Sequence, residues 1–328
     1  LLYQDGRVSG AVVERGGEEQ TIRARLVVDA SGINAVVRTS LPQGYGVENF
    51  KTAPDEKFYV VLRYITWSDP NRPRTVDSEG WTFYTAWVAP SYPERGAIIG
   101  IGATGSFERA EEVFREFSEV ITIPPHRVDK IERGVTPYRR PPYSVVGDGF
   151  LCLGDSACLT KPFSGEGVTS AWTLCKIAVD VVDRALQGDE GLTSDALWSI
   201  NVRYFRDQGA KFAGILATVP SAANVTRREN SYLFEKDVIF SEGDLTEMNR
   251  DLEMHLTPRK ILRIVGVIVL GLMSGTYSFA SLKALLRSVR MSGRIRSHYE
   301  RFPSERAEFA SWANAAEDLW RRANAKMS

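Results

Sequence analysis

Apolar and polar positions change their rhythm several times along this chain. Over residues 1–30 the apolar positions fall in short alternating runs, VSGAVVE, QTIRA and RLVVDA, punctuated by Asp5-Gly6 and Gly16-Gly17. A period of two predicts strands, and Asp-Gly and Gly-Gly pairs supply the positive φ of tight hairpin turns. The run LVVDA is apolar enough for a buried strand. It ends at SGINAVVR, where Ser31-Gly32 predicts a turn and Asn34 a helix cap. From Lys57 to Thr104 three further runs, FYVVLRYITW, EGWTFYTAWVAP and GAIIGIGATG, are broken by Pro, Asn, Asp and Gly, which predicts a mainly antiparallel sheet. GIGATG has the glycine spacing of a phosphate loop, but it sits on a strand and reads as strand glycines.

The rhythm then becomes helical. In SFERAEEVFREFSEVI a stripe of Phe107, Val113, Phe114, Phe117 and Ile121 follows Ser106, a candidate N-cap. After PYRRPPYSVVGDGF the run FLCLG predicts a buried strand ending in Gly154-Asp155. In GVTSAWTLCKIAVDVVDRAL, Val168, Ala171, Trp172, Cys175, Ala178, Val179, Val182 and Leu186 share one face at spacings of three and four, predicting a long amphipathic helix. Residues 190–328 read as mostly helical, without repeat or low-complexity tract. Within them IVGVIVLGLMSGTYSFASL is free of charge, but Ser274, Gly275, Thr276 and Ser278 interrupt it, leaving about ten apolar residues, short of the ~20 that span a bilayer. A buried or interfacial helix is expected there. Arg287, Arg290 and Arg294 fall on one face, either a solvated basic surface or a peripheral membrane contact for anionic headgroups.

Composition narrows the picture. At 328 residues and 43% hydrophobic, the chain is long enough for two intertwined domains or one large α/β body. Lys plus Arg and Asp plus Glu number 41 each, so charge gives no support to a nucleic-acid partner. Cys152, Cys158 and Cys175 form neither a disulfide framework nor a metal spacing, and there are three His. The expectation is a reducing, cytoplasmic setting with no metal. LLYQDGRVSG carries no targeting signature and no initiator Met, so the chain is expected to be the numbered part of something longer.

The chemistry concentrates in GDSACLTKPFSGEGV. Gly154-Asp155 puts a carboxylate at the carboxyl end of a buried strand, where open α/β sheets bind ligands. An ionised carboxylate only accepts hydrogen bonds, which suits a polyol. Pro162 fixes a turn, Gly165 and Gly167 free the backbone, and the uncapped amides and dipole of the following helix favour negative charge on a ligand. Glu166 reads as a positioning acid or a catalytic one, Lys161 as a solvated lysine or support for an anion. Cys158 reads as a buried or a redox-active thiol, and Arg38 as a phosphate ligand or a solvated helix end. Trp87 and Phe163 read as core or as pocket walls.

GDSACLTKPFSGEGVTSA is similar to the second flavin-binding motif of the geranylgeranyl reductase family, within the p-hydroxybenzoate hydroxylase-like FAD proteins. LVVDASGINAVVR resembles the stretch that precedes it. A weaker match is TAWVAP, where Trp87 and Pro90 keep the register of the family's Tyr-x-Trp-x-Phe-Pro, Thr85 and Ala89 depart, and Tyr84 is displaced by one residue. The resemblance implies an α/β fold: an incomplete FAD-binding Rossmann-like domain in two parts (1–45 and 143–190), an inserted antiparallel β-sheet substrate domain (46–142) and a helical C-terminal region (191–328). It implies Asp155 at the ribityl chain and the Gly167 and Val168 amides at the N1 and C2 edge of the flavin. Ser31, Gly32, Arg38, Gly154, Pro162, Gly165 and Glu166 complete the cofactor set, and Trp87, Pro90 and Phe163 the substrate pocket. The implied activity is reduction of carbon–carbon double bonds in an isoprenoid or lipid-like, hydrophobic substrate, with NAD(P)H or ferredoxin as donor and no dedicated catalytic residue. The alternatives are a flavin monooxygenase or halogenase, to which Ala157-Cys158 and TAWVAP are comparable, and a chain completed by another polypeptide. The family's GxGxxG unit has no counterpart here, so residues 1–328 alone are expected to bind FAD poorly.

Overall fold

A computed structural model describes residues 1–69, 86–91, 96–120, 123–162, 165–188, 191–218, 226–238 and 257–324. The chain divides into two compact units, Leu1–Lys51 with Arg140–Ser328, and Thr52–Arg139.

In the first unit, β1 (Leu2–Gln4), β2 (Arg7–Arg15) and β3 (Glu18–Arg23) form an antiparallel ribbon. The Asp5-Gly6 turn has φ of 51° and 79°, as the sequence predicts. β4 (Val27–Asp29) pairs in parallel with a strand from far along the chain, Phe150–Cys152, in register Val27 to Phe150 and Asp29 to Cys152. Val28 is half exposed, so β4 is less buried than its composition suggests.

The second unit is an antiparallel sheet of β5 (Lys57–Trp67), β6 (Ala86–Pro90), β7 (Gly96–Thr104) and β8 (His126–Pro137), ordered β6-β7-β5-β8. Helix α1 (Phe107–Val120) starts where expected, with the Arg109 amide donating to the Ser106 hydroxyl. Its apolar stripe closes on Val61 and Ile101 through Val113 and Phe117. Gly100 and Gly102 of GIGATG are strand residues, whereas Gly105 follows the end of β7 at φ 100°; a Cβ on Gly100 would sit 2.0 Å from the Trp87 ring, so the indole covers the strand there.

Back in the first unit, β9 (Val146–Gly147) and β10 (Phe150–Cys152) extend the β4 sheet. Helix α2 (Val168–Gln187) buries Ser170, Leu174, Ala178 and Val181. That differs from the stripe read in the sequence: Val168, Trp172 and Val179 are exposed, because this helix is apolar on two faces and only one packs into the core. The largest core gathers α3 (Ser194–Tyr204), α4 (Ala210–Leu216), α7 (Phe279–Tyr299) and α8 (Phe309–Asn324) around Phe205, Tyr299, Phe302 and Trp312. Indole donors reach acceptors, Trp198 Nε1 to the Pro303 carbonyl at 3.1 Å and Trp320 Nε1 to the Tyr299 hydroxyl at 3.0 Å, as buried polar atoms require.

A separate cluster joins α5 (Arg227–Glu235), α6 (Pro258–Met273) and the start of α7 through Leu233, Ile268 and Tyr277. Thr226-x-x-Glu229 is a capping box at α5, with the Glu229 amide 3.3 Å from the Thr226 hydroxyl and the carboxylate 2.9 Å from the Thr226 amide. The other Glu229 oxygen accepts the Ser278 amide at 2.9 Å, so one buried carboxylate holds two helix starts. Burial opposes its ionisation, but the bonds from Thr226, Ser281 and Ser278 outweigh that and bring the pKa down to about 2. A carboxylate depressed in the folded state stabilises above its unfolded pKa and loses that contribution as pH falls toward the folded one. Glu229→Gln is expected to cost about 2 kcal/mol at neutral pH, shrinking as pH falls toward 2, in urea unfolding followed across pH.

Candidate functional site

β4 and β10 run parallel, so their carboxyl ends emerge together. The chain leaves each through a short turn, Gly32–Asn34 and Gly154–Ala157, and these turns lie against each other. The Asp29 carbonyl accepts the Leu153 amide at 2.9 Å. The buried Asp29 carboxylate accepts the Ser31 amide at 2.9 Å and hydroxyl at 2.6 Å on one oxygen, and the Arg38 amide at 2.7 Å on the other.

The Ser31 hydroxyl also accepts the Val36 amide at 2.7 Å. Ser31 therefore organises this turn, while Asn34, expected as a cap, is its last residue. Arg38 is 1% exposed. Its Nε donates to the Ser156 carbonyl at 2.6 Å and its Nη1 to the carbonyls of Glu48 at 2.9 Å and Phe50 at 3.0 Å, with the guanidinium over the Phe50 ring. The side chain thus braces the turn that carries Asp155 and is not a solvated helix end. Asp29 was missed in the sequence; an acid closing the apolar run LVV was the available signal.

Asp155 is half-buried, and one carboxylate oxygen accepts the Thr160 hydroxyl at 2.5 Å. Burial raises its pKa, and the Thr160 bond opposes the rise in part. The chain then folds back on itself: the Lys161 amide donates to the Glu166 carbonyl at 2.9 Å and the Gly165 amide to the Lys161 carbonyl at 3.0 Å. Lys161 is buried, not the solvated lysine that is one of its two sequence readings, and its ammonium stands 2.8 Å from the Glu166 carboxylate. Burial would push Glu166 up, yet the bonds from Lys161 and Thr169 outweigh it and hold the carboxyl below its ordinary value. Glu166 is accordingly engaged in shaping the loop.

Gly167 is the N-cap of the twenty-residue α2, and among the described residues no side chain caps the helix. A Cβ there would meet Thr160 Oγ1 at 2.9 Å and Asp155 Oδ1 at 3.6 Å, so the missing side chain lets the helix start against the Asp155–Thr160 pair. The Ser170 hydroxyl, buried in the first turn, has no hydrogen-bond partner among the described residues. Val168, the first residue of α2, is 61% exposed. The corner combines a half-buried carboxylate, uncapped helix amides and a small-residue rim.

Elsewhere, Cys158 adopts φ of 55° and is fully buried, the setting of a shielded thiol. Trp87 is 39% exposed, Pro90 closes β6, and Phe163, Thr85 and Tyr84 lie outside the described residues. Among the described residues no His, Cys, Asp or Glu group is arranged to hold a metal. Two concavities lie away from Asp155, one between α7 and α8 and one beside Arg7 and Gly188.

No protein-family model matches the chain. Digeranylgeranylglycerophospholipid reductase of Sulfolobus acidocaldarius is 24% identical over 338 aligned positions, covering the whole of this chain and 72% of the relative. A second protein of that name, from Methanopyrus kandleri, is 27% identical over 58% of this chain and 51% of its own. The 1H-pyrrole-2-carbonyl-[peptidyl-carrier protein] brominase of Pseudoalteromonas luteoviolacea is 24% identical over 59% of this chain and 50% of its own. Among solved structures, a geranylgeranyl bacteriochlorophyll reductase-like protein of Thermoplasma acidophilum superposes with a TM-score of 0.51 at 16% identity, covering 86% of this chain and 66% of that one. The chain therefore spans from about half to about three quarters of the length of these proteins. An alignment that runs its whole length, joined to a shared fold, makes this protein similar to the digeranylgeranylglycerophospholipid reductases.

Proposed function

We propose that the protein is the homologous part of an FAD-dependent oxidoreductase that reduces carbon–carbon double bonds of an isoprenoid or lipid-like substrate, meeting it at a membrane surface. The observation that carries this reading is the corner where Asp155, its Thr160 partner and the uncapped α2 converge, in a chain aligned end to end with a prenyl-lipid reductase. The residues present fit the cofactor. A carboxylate accepts from a polyol, Gly167 leaves room against Asp155, and the free amides and dipole of α2 suit an electron-rich rim. The orphaned Ser170 hydroxyl adds an unused donor.

In this reading Asp155 holds the ribityl alcohols, the amides of Gly167 and Val168 face the electron-rich edge of the ring, and Ser31, Gly32, Gly154, Pro162 and Gly165 line the backbone approach. Asp29, Arg38 and the Lys161–Glu166 pair are positioning residues: they fix two turns and a loop whose amides must not drift. Trp87 and Pro90 are proposed as apolar substrate contacts, and Phe163 as a further one. When bound, FAD would supply the two electrons that, with two protons, saturate one alkene.

The test is anaerobic turnover of the natural polypeptide, loaded with FAD and reduced chemically, on a prenylated glycerophospholipid. The expected result is a product heavier by two hydrogens per double bond. Oxygen consumption with halogenation or hydroxylation, and no alkene reduction, would overturn it in favour of the chemistry of the brominase relative.

A further inference from the structure

From Thr257 to Tyr299 the chain has no Asp or Glu, yet it carries two lysines and six arginines. This stretch is α6, a turn and α7. The turn is a Schellman motif, with Gly275 at φ 70°, the Thr276 amide on the Gly271 carbonyl and the Gly275 amide on the Leu272 carbonyl. It ends the apolar run of α6, and among the described residues no helix is long and apolar enough to cross a membrane.

What the hairpin leaves outside is the unusual part. α6 turns Ile268 and Gly271 inward and presents Leu262, Val265, Val269 and Met273 on the opposite side, all between 47% and 79% exposed. On α7 the inward face is Ala284, Ser288, Met291 and Ile295, while Phe279, Lys283, Leu286, Arg290 and Arg294 follow one another outward at helical spacing. Phe279 and Leu286 are 77% and 62% exposed. Large apolar side chains alternating with Lys and Arg, without one acid, form the composition of a helix that lies in a headgroup layer, where aliphatic stems enter the acyl boundary and cations stay with phosphates. Beside them a groove of about 550 Å³ between α7 and α8 is lined by Arg290, Arg294, His298 and Arg301 with Leu319 at its edge. Three guanidiniums around one concavity match the forked oxygens of a phosphate.

We propose that the α6–α7 hairpin is the surface by which this protein docks on an anionic bilayer, with Leu262, Met273 and Phe279 entering the boundary and Arg290, Arg294 and Arg301 holding lipid phosphates. The inference deepens the reading of a lipid-acting enzyme, and its test needs no flavin, so the two fail separately.

The experiment is co-sedimentation of the purified protein with vesicles of phosphatidylcholine alone or mixed with phosphatidylglycerol. Binding to the mixed vesicles is expected, weakening as salt approaches about 1 M, where the screening length is ~3 Å. Lys283→Glu/Arg290→Glu/Arg294→Glu is expected to lower partitioning about a hundredfold. Leu262→Ser/Met273→Ser/Phe279→Ser is expected to lower it at least about tenfold while the salt dependence persists. Circular dichroism and melting temperature monitor folding, and the milder Arg290→Gln/Arg294→Gln takes the place of a triple variant that fails to fold. Wild-type protein that ignores the mixed vesicles, binding indifferent to charge reversal and salt, or a dimer in sedimentation velocity that Phe279→Ser dissolves without any vesicle binding would each overturn the proposal.

Discussion

Asp155→Asn is expected to raise the melting temperature of the cofactor-free protein slightly while weakening its hold on FAD about tenfold, and Asp155→Ala to weaken it about a hundredfold. The two effects share one cause. Burial raises the carboxyl's pKa, so the folded state ionises it less readily than the unfolded chain does. For such a group the sign runs against stability at neutral pH: its contribution is complete below the unfolded pKa and is lost as pH climbs through the folded one. A neutral amide removes that penalty and keeps an oxygen for the Thr160 hydroxyl, but it no longer offers an anion to several alcohols at once.

Titration of the natural polypeptide with FAD, followed by fluorescence quenching, reads the affinity, and calorimetry of the apoprotein reads the stability. Affinity should also fall as pH drops through the raised carboxyl value, and Asp155→Asn should flatten that dependence. Gly167→Ala offers an independent check, since its Cβ must push the Thr160 hydroxyl away from Asp155. A smaller loss of affinity is expected, with the pH dependence retained. An Asp155→Ala protein that binds FAD as tightly as wild type would remove the assignment of this corner.

Much of that corner was legible in the sequence because its information is local. A strand closing in Gly-Asp, a Pro, two glycines and a helix without a capping side chain are all read within one stretch, and the structure brings them together as the spacing implies. What stayed hidden depends on partners far away. The sequence leaves Arg38 as a surface or phosphate-facing cation, because Ser156, whose carbonyl accepts its Nε–H, lies more than a hundred positions later. Lys161 and Glu166 are five residues apart, so their pairing is within reach of spacing, but the burial of the lysine is a tertiary property that spacing does not carry. α2 shows the limit of periodicity: with Leu174 and Val181 on one side and Val168, Trp172 and Val179 on another, the pattern identifies a helix and leaves open which apolar face packs into the core. The Thr226-x-x-Glu229 box is local and legible in the sequence, whereas the bond from the Ser278 amide to Glu229 is not.

Arg38→Met should be the most damaging single change to the fold, costing about 4 kcal/mol in urea unfolding, because the guanidinium serves one buried and two half-buried carbonyls and the replacement donates nothing. Methionine nearly matches the volume of the aliphatic stem, so the loss reports the guanidinium and not a cavity. Arg38→Lys tells the two parts of the role apart. A lysine can reach one carbonyl but cannot serve Ser156, Glu48 and Phe50 from one planar fork, so it should recover less than half of the loss. The damage should also be directional: with the Ser156 carbonyl released, the turn carrying Asp155 loosens, and amide exchange at Cys158 and Leu159, whose N–H groups bond to the Asp155 and Gly154 carbonyls, should quicken before that of the α3–α7 core. Uniform exchange across the unit, or a loss below about 1 kcal/mol, would mean that Arg38 is not what braces the corner.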